Sequence, residues 1–314
     1  MRLSGVAEQE YTGLYWKSQM NRRDLLKSAA AVSVTGLSGS TAPVKAQIIR
    51  ENQAVLKISS QDNRLPGATL REKVLKLEKW GGRGLELWGN GLSGRIKEAQ
   101  DAIKGTQVKI SAICAGFSGA PIAQDPEERK RAVTSIKELL KLAGELGSTG
   151  LVVVPGATNK PISNPEEARK VLVEMMSELG QFAVECKTRV LLKPVDRKES
   201  FFLRLLADTA AICKDINHPG VCMTADFYHM AFEETSECGA FLSAGKYLHH
   251  VHLGSRKRNL PGQDDRSFVD GFRGMKMIGY QDYCSLECDC IGNPEIEIPK
   301  SFEFLRKQWN EAAI

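Results

Sequence analysis

Pro126-Glu127-Glu128-Arg129-Lys130-Arg131-Ala132-Val133-Thr134-Ser135-Ile136-Lys137-Glu138-Leu139-Leu140-Lys141-Leu142-Ala143-Gly144-Glu145-Leu146-Gly147-Ser148-Thr149-Gly150-Leu151-Val152-Val153-Val154 is one helix-to-strand unit. Val133, Ile136, Leu139, Leu140, Leu142 and Ala143 recur at helical spacing. Pro126 sits at the start of that run and Gly147 just past its end, the asymmetry of a helix with defined termini. Residues 150–154 follow as a short apolar strand. Asn164-Pro165-Glu166-Glu167 opens another helix with Asn164 as its cap. Short apolar segments recur at 55–59, 84–88, 108–115, 150–154, 189–195, 221–227, 248–253 and 283–289, with helical patterns between them. Strands alternating with helices make a parallel sheet. Eight such units in a chain of this length predict a (β/α)8 TIM barrel over residues 47–314. A doubly wound open sheet is the alternative, but no glycine-rich phosphate loop follows the first strand.

Residues 1–46 read as a leader preceding the barrel. From Met20 the chain runs Asn21-Arg22-Arg23-Asp24-Leu25-Leu26-Lys27, then a small, mildly apolar stretch, then Val44-Lys45-Ala46. A charged region, a short apolar region and a small–x–small site are the parts of an export signal. The paired arginines resemble a twin-arginine signal, which predicts a periplasmic or otherwise exported protein cut after Ala46, with residues 1–19 lying upstream of the true start. The apolar stretch is too short and weak for a membrane span. Of the net charge of +5, the leader carries +3 and the remaining 268 residues only +2. The barrel thus gives no electrostatic case for nucleic acid. All eight cysteines lie in the barrel, mostly in apolar segments. Cys284, Cys288 and Cys290 share a strand face with Leu286 and lack zinc-knuckle spacing. They read as reduced core thiols, as expected of a protein folded before export.

Function in such a barrel gathers at the C-terminal strand ends, and alternation along each strand selects the side chains facing the lumen. Lys193 shares a face with Leu191 and Val195, and Asp226 with Cys222 and Thr224. His252 shares one with His250, and Glu287 with Ser285 and Asp289. In the last three strands the polar set faces inward.

Asp226-Phe227-Tyr228-His229-Met230, His250-Val251-His252, Arg258, Glu287 and Phe201-Phe202-Leu203 resemble the xylose-isomerase-like TIM-barrel superfamily, over about residues 54–308. Its members include sugar-phosphate isomerases and epimerases, ketose 3-epimerases and hydroxypyruvate isomerases. The resemblance implies a ketose or related carbonyl sugar as the small-molecule substrate, with proton transfer through an enediolate. It implies Asp226, His252 and Glu287 as ligands of a divalent cation (Mn, Co, Mg or Zn), with Glu287 also catalytic. His229 and Arg258 would bind substrate, and Glu86 matches the acidic position of the second strand. Glu86 has the plain alternative of a lumen hydrogen-bond partner. Trp88 either lines a sugar-binding wall or fills the barrel mouth, and Arg258 is either a substrate ligand or part of a solvated basic loop. The endonuclease IV branch is disfavoured: its trinuclear zinc site needs further histidines, and the second and third strands offer none.

The chain departs from the family at one central position. The family motif Leu-Leu-Glu-Pro-Leu-Asn stands here as Leu191-Leu192-Lys193-Pro194-Val195-Asp196, with lysine for the glutamate that is both metal ligand and base. A lysine ammonium about 4 Å from a dication is repelled by roughly 8 kcal/mol at an effective dielectric near 20. Losing its proton at pH 7 instead costs about 4.6 kcal/mol. Three outcomes compete: Lys193 replaces the metal as a built-in ammonium, swings aside from a three-ligand site, or acts as a neutral amine. The functional alternatives are therefore a sugar isomerase or epimerase with an altered metal site, and a catalytically lapsed barrel that binds a carbohydrate or a partner protein.

Overall fold

The structure is a computed structural model that describes residues 53–314 except positions 157 and 159. The expected leader, its arginine pair and the cut after Ala46 lie outside the described residues. Eight parallel strands close into a barrel in chain order. They are β1 Lys57–Gln61, β2 Gly84–Trp88, β3 Lys109–Cys114, β4 Leu151–Val153, β5 Val190–Leu192, β6 Val221–Asp226, β7 Leu248–Leu253 and β8 Tyr283–Leu286. The helices around them are α1 Leu70–Lys79, α2 Ile96–Ile103, α3 Pro126–Glu145, α4 Pro165–Glu185, α5 Leu206–Ile216, α6 Phe227–Glu233, α7 Glu237–Ala244, α8 Val269–Met277 and α9 Pro294–Glu311. This is the (β/α)8 barrel read from the sequence, and the open-sheet alternative falls. None of the described helices is long and apolar enough to cross a membrane.

Local chemistry fixes the helix starts. Asp125 and Asn164 accept backbone N–H groups of the first turns of α3 and α4, each with proline following the cap. Asp226 does the same for α6 through Tyr228, so the last residue of β6 is locked at the junction.

Several strand ends differ from their sequence-based bounds. β1 is displaced toward Gln61, and β5 is confined to Val190–Leu192 because Pro194 lacks the N–H that would extend the ladder. The Lys193 N–H still bonds Val153 O at 2.9 Å, and the Glu287 N–H bonds Leu253 O at 3.1 Å. Both side chains are therefore held at their strand ends although neither residue lies within a strand. Two bulges adjust which side chains point inward. Along β2, Leu85 and Glu86 pair with Ile110 and Ala112, skipping Ser111. Along β6, Met223 and Thr224 pair with Leu248 and His250, skipping His249.

Apolar side chains between sheet and helices form the main core, whereas Ala112, Val152, Leu191 and Cys222 form a separate buried cluster inside the barrel. Gly84 makes room beneath the polar mouth. A Cβ there would stand 2.6 Å from the Tyr283 ring and 2.8 Å from the Cβ atoms of Ser59 and Ser111. All eight cysteines are free thiols. Cys284 and Cys288 are buried in the main core and Cys290 packs against it, as their strand pattern predicts.

Candidate active site

The C-terminal mouth of the barrel carries a buried polar cluster gathered from the ends of β1, β2, β5, β6, β7 and β8. Lys193 follows β5 and sends its ammonium across the lumen. Its Nζ lies 2.8 Å from Asp226 Oδ2, 2.6 Å from Glu287 Oε2 and 2.9 Å from His252 Nδ1. Asp226, His252 and Glu287 thus converge as the sequence expects, and they converge on Lys193 Nζ. Their mutual distances are also short: His252 Nδ1 is 3.1 Å from Glu287 Oε2 and 3.8 Å from Asp226 Oδ2.

Burial alone would drive the Lys193 ammonium toward its neutral form, but the carboxylates of Asp226 and Glu287 overcome it and hold the amine well above its ordinary pKa. The same coupling acts on the acids. Burial would raise Glu287, yet His252 and Lys193 pull it down to about 2. Asp226 is likewise lowered against burial, chiefly by Lys193. For His252, burial opposes charging of the ring, while Glu287 and Glu86 favour it and raise its pKa. The 2.9 Å contact with Nζ, however, is a hydrogen bond only when Nδ1 is unprotonated. With the ammonium present, His252 is therefore best read as carrying its proton on Nε2, donated to Glu86.

Glu86, fully buried in β2, forms the floor of the cluster. Its oxygens lie 2.9 Å from His250 Nε2 and 3.0 Å from His252 Nε2, and it accepts from Gln61 Nε2 at 3.0 Å. Burial would raise its pKa, but the two histidines lower it well below the usual value. Of the two sequence readings of Glu86, these contacts show the lumen hydrogen-bond partner. Trp88 stands two residues further along the same strand face, and its buried Nε1 has no hydrogen-bond partner among the described residues. At the rim, the Arg258 guanidinium stacks 4.7 Å from the Tyr228 ring. Its Nη1 donates to Glu199 at 3.2 Å and its Nη2 lies 3.6 Å from Glu287. These contacts put its guanidinium beside the cluster, with about a third of the side chain still exposed. His229, in the first turn of α6, is buried, with Nδ1 3.1 Å from Asp196 Oδ2 and Nε2 3.6 Å from Asp226 Oδ2.

Sequence reasoning missed Gln61, Cys114, Asp196 and Glu199. Gln61 bridges Glu86 and Glu287 (3.3 Å), and Cys114 Sγ lies 3.8 Å from Glu287. The later placement of β1 hid the first. Asp196 and Glu199 sit in an irregular loop where alternation gives no signal.

The fold family implies a divalent cation, and the donors permit a test of that. Asp226, His252 and Glu287 are the right types of ligand, but the point at which they meet is the Lys193 ammonium. While Lys193 holds that position, the residues present do not fit a divalent ion.

Comparison with known proteins agrees with this barrel. The chain is 28% identical over 241 residues to 3-dehydro-D-guloside 4-epimerase of Escherichia coli K12, covering 74% of this chain and 92% of that relative. It is 29% identical over 161 residues to a D-psicose 3-epimerase of Ruminiclostridium cellulolyticum, spanning 50% of this chain and 55% of that protein. Among solved structures, apo 3-keto-D-glucoside 4-epimerase from E. coli superposes with a TM-score of 0.75 at 26% identity, over 81% of this chain and all of that one. A D-psicose 3-epimerase from Clostridium cellulolyticum H10 shares the fold, with a TM-score of 0.73 at 20% identity over 81% of this chain and 99% of that one. The model of the xylose isomerase-like TIM barrels matches residues 74–308, and the chain belongs to that family.

Proposed function

We propose that this chain is an epimerase-type enzyme acting on a carbonyl sugar, in which the Lys193 ammonium stands where its relatives place a divalent ion. The observation that carries the reading is the seat of Nζ within 2.9 Å of Asp226, Glu287 and His252. A carbonyl sugar loses a proton beside its ketone only if the developing oxyanion is stabilised. A fixed positive charge in a buried site does this without reorganising, and Lys193 supplies one. Arg258 and Trp88 Nε1 offer donors at the rim, and the carboxylates set around Lys193 keep it charged. Of the possible sugars, a keto-glycoside is the favoured substrate class, because the relative matched over nearly its whole length acts on a dehydro-glycoside. Free ketoses come second, since those relatives match over about half their length.

The replacement of a carboxylate by lysine favours one other reading, a barrel that binds carbonyl sugars without turning them over. Incubation with 3-keto-glycosides and with ketoses in D2O, followed by NMR of the recovered sugar, separates the two. The enzyme reading expects deuterium at the carbon next to the carbonyl, with the epimer accumulating. Binding by calorimetry without any label would establish the lapsed barrel instead. The leader belongs to the same proposal: the protein acts after export through the twin-arginine route.

A further inference from the structure

We infer that His229, oriented by Asp196, is the group that moves the substrate proton. The inference rests on the carbonyl-sugar reading above. The other acid–base side chains at the mouth are already engaged. Glu287 accepts from Gln61 at Oε1 (3.3 Å) and from Lys193 at Oε2 (2.6 Å). Glu86 holds Gln61, His250 and His252. Asp226 caps α6 through Oδ1, accepting from the Tyr228 N–H at 2.9 Å, and pairs with Lys193 through Oδ2. Two buried ring nitrogens have no hydrogen-bond partner among the described residues, His250 Nδ1 and His229 Nε2, and of these His229 Nε2 lies 3.6 Å from the Asp226 carboxylate that pairs with the ammonium.

The opposite side of the ring is fixed. Nδ1 lies 3.1 Å from Asp196 Oδ2 and 3.2 Å from the Asp196 backbone N–H, and both residues are buried. A carboxylate is the stronger partner of the two. It places the ring proton on Nδ1 and leaves the Nε2 lone pair open. A base held by a third group is the arrangement expected of a proton-transfer site.

The step balances on these residues. The Nε2 lone pair takes the proton from the carbon beside the carbonyl, forming N–H as C–H breaks. The C–H electron pair becomes the C=C of an enediolate, and the carbonyl π pair moves to oxygen, where the Lys193 charge stabilises it. Asp196 balances the imidazolium. Return of a solvent-exchanged proton from Nε2 to the same face reverses the flow and labels the starting sugar, whereas the enediolate that takes a solvent proton on its opposite face becomes the epimer. His229 is the catalytic residue and Asp196 a positioning residue.

His229→Gln and Asp196→Asn, made in the full chain, test this with a 3-keto-glycoside in D2O. His229→Gln is expected to lower deuterium incorporation at least about 100-fold, with the calorimetric Kd changed less than threefold. Asp196→Asn is expected to lower kcat at least tenfold at nearly constant KM. NMR of the protein with ¹⁵N-labelled histidine, which uses no sugar, should show His229 protonated at Nδ1 in the parent and redistributed between the two nitrogens in Asp196→Asn. Incorporation by His229→Gln within threefold of the parent, or a parent ring protonated only at Nε2, overturns the inference. A parent that labels no carbonyl sugar refutes the functional reading separately, and the tautomer measurement still decides the Asp196–His229 pair.

Discussion

Replacing Lys193 with glutamate should turn this mouth into a metal site. The ammonium stands 2.6–2.9 Å from three side-chain donors, so an ion bound by Asp226 and Glu287 lies about 4 Å or less from Nζ. Two positive charges against one at that distance repel by roughly 8 kcal/mol at an effective dielectric near 20. Even if relaxation and solvent remove three-quarters of that, about 2 kcal/mol remains, which is a factor of about 30 in affinity. The added carboxylate increases the effect by supplying a further oxygen ligand. Calorimetric titration of Mn²⁺ or Co²⁺ into metal-stripped parent and Lys193→Glu should therefore show at least a 30-fold tighter Kd in the variant. Lys193→Met separates lost repulsion from gained ligand, and should tighten binding by less. It should also unfold more readily, since removing one partner of a buried ion pair costs about 3–5 kcal/mol. In a barrel of this size that is about 6–20 °C in Tm. A parent that already binds Mn²⁺ as tightly as Lys193→Glu would refute the reasoning: Lys193 would then have swung out of the cluster or lost its proton.

Other outcomes follow from the same structure. His249 pairs with Asp282 at 2.7 Å, and although burial opposes charging, that bond and the neighbouring Cys222 raise its pKa to about 9. A raised folded pKa gives stability that is complete below about 6.5 and is lost as pH rises through about 9. Asp282→Asn should flatten that fall, worth on the order of 1–2 kcal/mol after allowance for partial exposure of both groups, and denaturant titrations at pH 6 and pH 9.5 measure it. Gly84→Ala drives a methyl group against Tyr283, Ser59 and Ser111 and should cost about 1–3 kcal/mol, read as a lower Tm with the fold retained. Thiol titration under denaturing, non-reducing conditions should find the eight cysteines free, and stoichiometric disulfides would contradict it. N-terminal sequencing of the exported form should begin at Gln47, and replacing Arg22 and Arg23 with lysine should trap precursor in the cytoplasm.

The barrel was legible because its signals are local and repeated: helical spacing in α3, cap and proline at α3 and α4, and alternation in β6 to β8. Alternation also assigned Asp226, His252 and Glu287 to one lumen, since Asp226 and His252 lie within β6 and β7 beyond the bulge and Glu287 directly follows β8. The bulges at Ser111 and His249 carry no such mark, because the extra residue is chosen by packing against a neighbouring strand. Gln61 was hidden for a related reason: β1 pairs two residues later than its apolar run suggests. Asp196 was hidden by its loop, because its meeting with His229 depends on the turn after Pro194 and on the entry angle of α6. The lysine at 193 was visible as a departure, but only the structure shows where its ammonium comes to rest.

The most direct test of the central claim is deuterium incorporation into a 3-keto-glycoside by chelator-treated, demonstrably metal-free enzyme, with and without added Mn²⁺. Stabilisation by the Lys193 charge predicts that the metal-free protein labels the sugar and that Mn²⁺ leaves the rate within about twofold. Labelling that vanishes on metal removal and returns with Mn²⁺ would contradict it.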